Sequence, residues 1–306
     1  MNNKIYLIGI GKVGSALCFE LKDAGYYIDF LTDKNADRLK TISESIGAVS
    51  YSEKIEKEFI ESSDVIFICV QDRYIGEAIK QIENFDIDLS GKYFIHTSGS
   101  ESTDVFLLEK FTKRNVASMH PIQTFDKVSF ENNRLLKHIY FGIEGGEDAK
   151  KIIMEIIKRL DSNYIEIPKG KKHLYHSACV ITSNFLVTLL SISSEIIGSI
   201  GIDKEKMFEI FEPIINKTLS NISEHGLVES LTGPFERNDV ETISKHLSSI
   251  SKEIPSLIPF YTLLGMETVK VAFKKESLNL KNVISILDLM NEYIISETKM
   301  TNKTIN

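Results

Sequence analysis

The sequence predicts a doubly wound, mostly parallel α/β sheet over residues 1–168, followed by an all-helical C-terminal domain over residues 169–306. Three observations carry that expectation. A glycine-rich turn follows the first apolar run, strands and helices alternate as far as Pro168, and long 3.6-residue periodicity replaces the alternation beyond it.

The apolar runs bounded by turn residues fall at 4–9, 27–32, 64–70, 93–97, 116–120, 138–143 and 164–167. Helical patterns such as 13–24, 36–46 and 149–160 lie between them. Short runs separated by helix-length connections suit a parallel sheet, because each crossover must return along a helix. Pro168-Lys169-Gly170 punctuates the chain, and Gly233-Pro234, Pro255 and Pro259 then divide a helical region that runs to about residue 299. The polar tail, 296–306, reads as a frayed end, and no internal repeat is visible.

At 306 residues, 42% hydrophobic and 26% charged, the chain is long enough for two domains with full cores. A net charge of −7 argues against a nucleic-acid partner and leaves room for a small anionic substrate met by a few local basic residues. Cys18, Cys69 and Cys179 are scattered and lack metal-ligand spacing, so they read as reduced thiols of a cytoplasmic, metal-free protein. The N-terminal apolar run breaks at once into glycines and is no signal peptide. The most apolar stretch, 185–202, contains Glu195, several serines and two glycines and reads as a core helix rather than a membrane span.

Gly9-Ile10-Gly11-Lys12-Val13-Gly14 ends the first strand and opens a helix. Glycines there permit the tight turn, the close approach of backbone to a pyrophosphate, and helix–strand packing, while the helix N-terminus supplies N–H groups and positive dipole. Asp33 follows Gly14 by nineteen residues at the end of the second strand, where an acid meets a ribose. This context predicts a dinucleotide-binding Rossmann domain with Gly9, Gly11, Lys12, Val13 and Gly14 around the pyrophosphate, and with Asp33, Lys34, Gln71 and Thr97 lining the rest of the cofactor. Asp33 favours NAD, because a carboxylate accepts from a 2′-hydroxyl and repels a 2′-phosphate. Lys34 and Arg38 can instead cradle that phosphate, so NADP stays open.

Ligands of open α/β sheets sit at the carboxyl ends of the strands. Polar clusters fall there at Gln71-Asp72, at His96-Thr97-Ser98-Gly99-Ser100, and at His120-Pro121-Ile122-Gln123-Thr124-Phe125. Histidine suits the proton that accompanies a hydride, since its pKa lies near operating pH. The plainer alternative for His96 and His120 is a histidine bonded within its own loop. Past Pro168, Lys172, His176, Val180 and Asn184 recur at intervals of four and share a helical face fit to hold a substrate carboxylate or carbonyl. The plainer alternative is an exposed helix start with a satisfied asparagine. Arg237, in the loop Leu231-Thr232-Gly233-Pro234-Phe235-Glu236-Arg237-Asn238-Asp239, is a second candidate anion contact, or a surface ion pair at a helix break.

Together with Tyr175-His176-Ser177-Ala178 and Ser183-Asn184, these segments resemble a family of Rossmann-like oxidoreductases that carry a helical C-terminal domain of unknown function. The resemblance extends to the 6-phosphogluconate dehydrogenase and pyrroline-carboxylate reductase superfamily, whose helical domains usually dimerise, and so implies a homodimer. Prephenate dehydrogenases carry a similar His-Pro segment and a serine one strand earlier. By that likeness His120 acts on a substrate hydroxyl beside Ser98, although Gln123-Thr124-Phe125 departs from their pattern and points away from prephenate. Hydroxyisobutyrate-type dehydrogenases place a catalytic lysine four residues before an asparagine. Aligned on Asn184 that position is Val180, so the proton role falls to His176 or His120. The expectation is an NAD(P)-dependent enzyme moving a hydride to or from a small carboxylate-bearing oxo acid, hydroxy acid or imine. His120, His176, Asn184 and Ser98 would serve the chemistry, and Arg237 and Lys172 would hold the substrate. The alternative is a non-catalytic dinucleotide sensor whose helical domain binds a partner.

Overall fold

The computed structural model describes residues 3–126 and 135–304. The chain divides into two compact units, Met1–Phe185 and Leu186–Asn306.

The first unit is built on strands β1 (Ile5–Ile8), β2 (Ile28–Thr32), β3 (Ser50–Ser52), β4 (Val65–Ile68), β5 (Tyr93–His96), β6 (Val116–Pro121), β7 (Tyr140–Gly145) and β8 (Asn163–Glu166). They form one sheet in the order β3-β2-β1-β4-β5-β6-β7-β8. Neighbours are parallel except β6 and β7, which run antiparallel. The chain winds outward from β1 to β3 and then returns to β4 on the other side of β1. That reversal opens a crevice at the carboxyl ends of β1 and β4, where such sheets bind ligands.

Helices α1 (Lys12–Asp23), α2 (Ala36–Ile46), α3 (Lys57–Ser62), α4 (Asp72–Glu83) and α5 (Glu147–Arg159) cover both faces. Every residue of β1 and β4 is buried, and alternation sends Ile5, Leu7, Val65 and Phe67 into a core shared with α1, α2 and α5. Tyr6, Ile8, Ile66 and Ile68 enter a second core shared with α3 and α4. Strands buried on both sides read in sequence as continuous apolar runs, which is how they were legible. The three-residue edge strand β3 and short α3 give no such signal. β7 begins later than its apolar run, because His138 takes a left-handed φ of 58° and ends the preceding turn.

A sixth helix, α6 (Lys172–Thr182), lies beyond Pro168 yet belongs to the first unit. Its side chains reach β6 and β7, so the contacts divide the chain after Phe185 rather than at the proline.

The second unit takes its core from α9 (Val240–Glu253), α10 (Ile258–Lys274) and α11 (Leu280–Thr304), around Ile243, Leu247, Ile258, Val269, Ile286 and Met290. The expected breaks are present: Gly233 (φ 103°) and Pro234 lie in the loop before α9, Pro255 follows the end of α9, and Pro259 sits in the first turn of α10. The expectation of a core helix at 185–202 is overturned. Helix α7 (Asn184–Ser199) buries no residue, and Phe185, Leu186, Val187 and Leu189 are exposed. Among the described residues Met207 alone is buried on α8 (Met207–His225). Helices α9 to α11 close their core without α7, and hydropathy cannot say which apolar helix a core recruits. The segment Lys172–Ser199 is also long and apolar enough, at mean hydropathy 1.6, to cross a membrane by length and composition.

Gly14 tests the packing of α1. A Cβ there would land on the Gly9 carbonyl oxygen, whereas one at Gly11 meets nothing within 4 Å. Gly14→Ala should therefore lower stability by about 1–3 kcal/mol in urea unfolding, while Gly11→Ala should cost only a weaker helix cap, under about 1 kcal/mol.

Candidate active site

Gly9 takes φ 89° and turns the chain from β1 into α1. Gly11 caps α1 without a side-chain bond, and no acidic residue lies in the first turn. The N–H groups of that turn thus keep their hydrogen-bonding capacity and positive dipole for an anion, and the bare Gly11 leaves room for it. These residues fit a dinucleotide pyrophosphate, with Lys12 and Val13 in the same turn.

Asp33 is committed. Its Oδ2 accepts from Ile10 N at 2.8 Å, and its Oδ1 accepts from Asn35 N at 2.9 Å and from Arg38 Nη2 at 2.5 Å. Lys34 Nζ stands 5.4 Å and the Arg73 guanidinium 4.7 Å from the ring centre of Tyr74. Lys34, Arg38 and Arg73 therefore give the rim beyond β2 a positive character. Gln71 is exposed and caps α4 through its backbone. Thr97 is buried, with its hydroxyl against the Cys69 thiol.

The second constellation lies across β5, β6 and β7. Strand register sets His96, Ser118 and Glu144 side by side, and two residues further along β6 it sets His120 opposite Gly142. Helix α6 crosses this row. Lys172 Nζ donates to Ser118 Oγ, the Tyr175 hydroxyl lies 2.7 Å from His120 Nδ1, and the His176 ring stands edge-on to His120 at 5.8 Å. Two glycines permit the approach. A Cβ on Gly142 would lie 2.6 Å from Tyr175 Cζ, and one on Gly99 would lie 2.5 Å from His176 Nδ1 and 2.7 Å from His120 Nε2. The two ring nitrogens thus converge above the backbone of the β5 loop.

Burial and neighbouring charge set the protonation states. Burial, then the Lys172 ammonium, pushes His96 down to about 3. Burial, then Lys172 and His176, pushes His120 down to about 4, with Asp72 opposing. Lys172 itself falls to about 8 through burial, against the pull of Glu144 and Asp72, and burial raises the Glu144 carboxyl. Tyr175 is raised well above the usual phenol range by burial and then by Cys179, so it keeps its proton. Within this constellation His96 Nε2, Glu144 Oε2 and His176 Nδ1 are buried without a partner among the described residues.

The sequence expectations therefore separate. His120 and His176 come together. Ser98 Oγ accepts from Ser100 N at 3.1 Å and Glu101 N at 2.9 Å, so it shapes the loop holding Gly99. Lys172, expected to meet substrate, is 1% exposed, drawn inward by Ser118 and Glu144. Asn184 is exposed and opens α7, because the helix breaks at Ser183; the four-residue face does not continue to it. Arg237 is exposed on the loop before α9 in the second unit. Sequence reasoning missed Ser118, Gly142, Glu144 and Tyr175 as parts of the constellation. Of these only Tyr175 left a trace, as the neighbour of His176.

A doubly wound sheet with an anion-ready turn at its point of reversal, and His120 of β6 converging with His176 of α6 above the β5 loop, is the framework of an NAD(P)-dependent oxidoreductase. Residues 4–98 match the family model described as NADP oxidoreductase, coenzyme F420-dependent, and residues 139–268 match the domain of unknown function DUF2520. The chain is a Rossmann-like oxidoreductase that carries this helical domain. Among solved structures it is similar to protein TM1727 from Thermotoga maritima, at 25% identity and TM-score 0.71 over 89% of this chain and 99% of that one. It is also similar to a putative NADP oxidoreductase, BF3122, from Bacteroides fragilis, at 21% and 0.67 over 88% and 98%. Pyrroline carboxylate reductase of Plasmodium falciparum, solved with NADP bound, shares the fold at 15% and 0.57 over 90% and 97%. A comparison with curated proteins finds no match.

Both shifted histidines lie below the ordinary value of 6.5, so as pH falls the unfolded chain takes up protons first. Their contribution to stability is complete above about pH 7 and is lost as pH falls through 6.5, down to about 4 for His120 and about 3 for His96. Urea midpoints should drop over that window, and His96→Phe should flatten the dependence.

Proposed function

We propose that the protein reduces a small carboxylate-bearing carbonyl or imine compound, or oxidises the corresponding product, with His120 as the group that holds or moves the proton at the reacting heteroatom. The observation that carries this reading is the convergence of His120 Nε2 and His176 Nδ1 above Gly99, at the carboxyl end of the same sheet whose first strand carries the nucleotide turn. A bound nicotinamide supplies or accepts the hydride. The Gly9–Gly14 turn and the first turn of α1 hold the nucleotide, and His120 meets the substrate heteroatom with His176 packed edge-on against it. The net charge of −7 favours a small molecule over a nucleic acid.

The cofactor we assign is NADP. Asp33 pointed to NAD in the sequence, but its carboxylate is occupied by Ile10, Asn35 and Arg38, and Lys34, Arg38 and Arg73 offer cations for a 2′-phosphate. The description of the matching family points the same way.

A second copy of this chain covers α7 and α8. Exposed Phe185, Leu186, Val187, Phe208, Ile210 and Ile214 make an apolar surface of the kind that a twofold dimer buries. We place the homodimer in the cytoplasm, where Cys18, Cys69 and Cys179 stay reduced.

Oxidation of NADPH and NADH against a panel of 2-oxo acids and imino acids tests the activity. NADPH should be the better cofactor, and His120→Asn should lower turnover by roughly 10²–10⁴ while cofactor affinity holds. Tight NADPH binding with no turnover on any compound would make the protein a dinucleotide sensor instead. Sedimentation should show a dimer that Val187→Asp dissociates. A monomer, or a protein recovered only with detergent, would overturn the assembly.

A further inference from the structure

We infer that Tyr175 is a positioning residue that fixes His120 as the neutral tautomer protonated on Nε2, so that the imidazole presents a hydrogen-bond donor to the substrate. This rests on the reading of His120 as the group at the reacting heteroatom, and it narrows the substrate atom to an acceptor such as a carbonyl oxygen.

One proton decides the tautomer. Tyr175 lies half-buried across Gly142 and stays protonated, so its hydroxyl has a single hydrogen to give. Two groups adjoin the hydroxyl: His120 Nδ1 at 2.7 Å and the Cys179 thiol. A neutral imidazole nitrogen is a far stronger acceptor than a thiol sulfur, so the Tyr175 hydroxyl donates to His120 Nδ1. With Nδ1 accepting, the only hydrogen of the neutral ring sits on Nε2, the nitrogen that crowds the Gly99 backbone beside His176.

The charge around the ring supports the neutral form. Lys172 lies beneath it on Ser118 of the same strand, His176 stands edge-on to it, and Asp72 is the opposing acid. Lys172 is enclosed and therefore acts on the ring through space. The backbone completes the arrangement, because only glycine at 142 lets the tyrosine ring close on β7 at the position opposite His120. A merely structural tyrosine has no need to spend its hydroxyl on the Nδ1 of a strand-end histidine. A phenylalanine of the same shape would fill the space over Gly142 equally well.

The test is a nitrogen-15 spectrum of the full-length protein labelled in its histidine rings, with the His120 signals assigned by their loss in His120→Asn. The neutral Nε2–H pattern is expected for His120 from about pH 5 to about pH 8, since the two tautomers have distinct ring shifts. Tyr175→Phe should convert it to the averaged pattern of a ring free to exchange tautomers. In that variant kcat should fall about tenfold to a hundredfold with KM little changed, and circular dichroism should stay native. An Nδ1–H pattern in the wild type overturns the inference. So does a Tyr175→Phe protein whose His120 pattern and kcat both match the wild type. If Tyr175→Phe fails to fold, the wild-type pattern alone still decides. The spectrum needs no substrate. An enzyme inactive on every compound but showing the Nε2–H pattern would remove the proposed activity and leave the tautomer assignment standing. Activity confined to protonated imines, which offer a donor rather than an acceptor, would overturn the substrate assignment.

Discussion

The ammonium of Lys172, enclosed between α6 and the strands β6 and β7, is the constraint on which the rest of the site depends. Burying an ammonium costs several kcal/mol unless its hydrogens find partners. Here Ser118 accepts directly, and Glu144, its neighbour across the strand pair, supplies the nearby negative charge. A helix pinned at that point has little freedom to slide or rotate. One turn further on it must set Tyr175 over Gly142 and His176 against His120. Removing either partner of the lysine would strand a buried charge, so the anchor fixes position as well as adding attraction.

The glycines at 99 and 142 are the complement of that anchor. Neither has the left-handed backbone that usually accounts for glycine; each is needed because a side chain already occupies the space of its missing Cβ. The cluster therefore packs like a core while consisting mainly of titratable groups, and the low dielectric explains why His96 and His120 stay neutral at ordinary pH.

What could be read from the sequence was what depends on neighbours along the chain. The turn at Gly9–Gly14, the buried strands and the strand-end position of His120 are local patterns, and the fold class follows from their rhythm. Glu144, Ser118 and Tyr175 matter because of strand register and helix docking, which set together residues far apart in sequence. Lys172 was expected to hold substrate, or else to be an exposed helix start, because a lysine gives no sign that its partners wait beneath it. Helix α7 looked like core for a related reason: hydropathy registers that a surface avoids water, not whether the same chain covers it. Asp33 was correctly located at the end of β2, but its three partners come from the folded loop, so its spacing alone could not show that the carboxylate was spoken for.

Those three partners give Asp33 a consequence beyond cofactor choice. One oxygen holds the N–H of Ile10, inside the turn proposed for the pyrophosphate, and the other holds Arg38, on the rim proposed for the far end of the nucleotide. The carboxylate thus couples two regions of one binding surface. An anion that engages Arg38 competes with Asp33 for it and changes the charge balance at the Ile10 bond. By linkage, filling the turn must alter the hold on Arg38 to the same extent. The two ends of the nucleotide then do not bind as independent fragments, and their affinities taken separately would not sum to that of the whole.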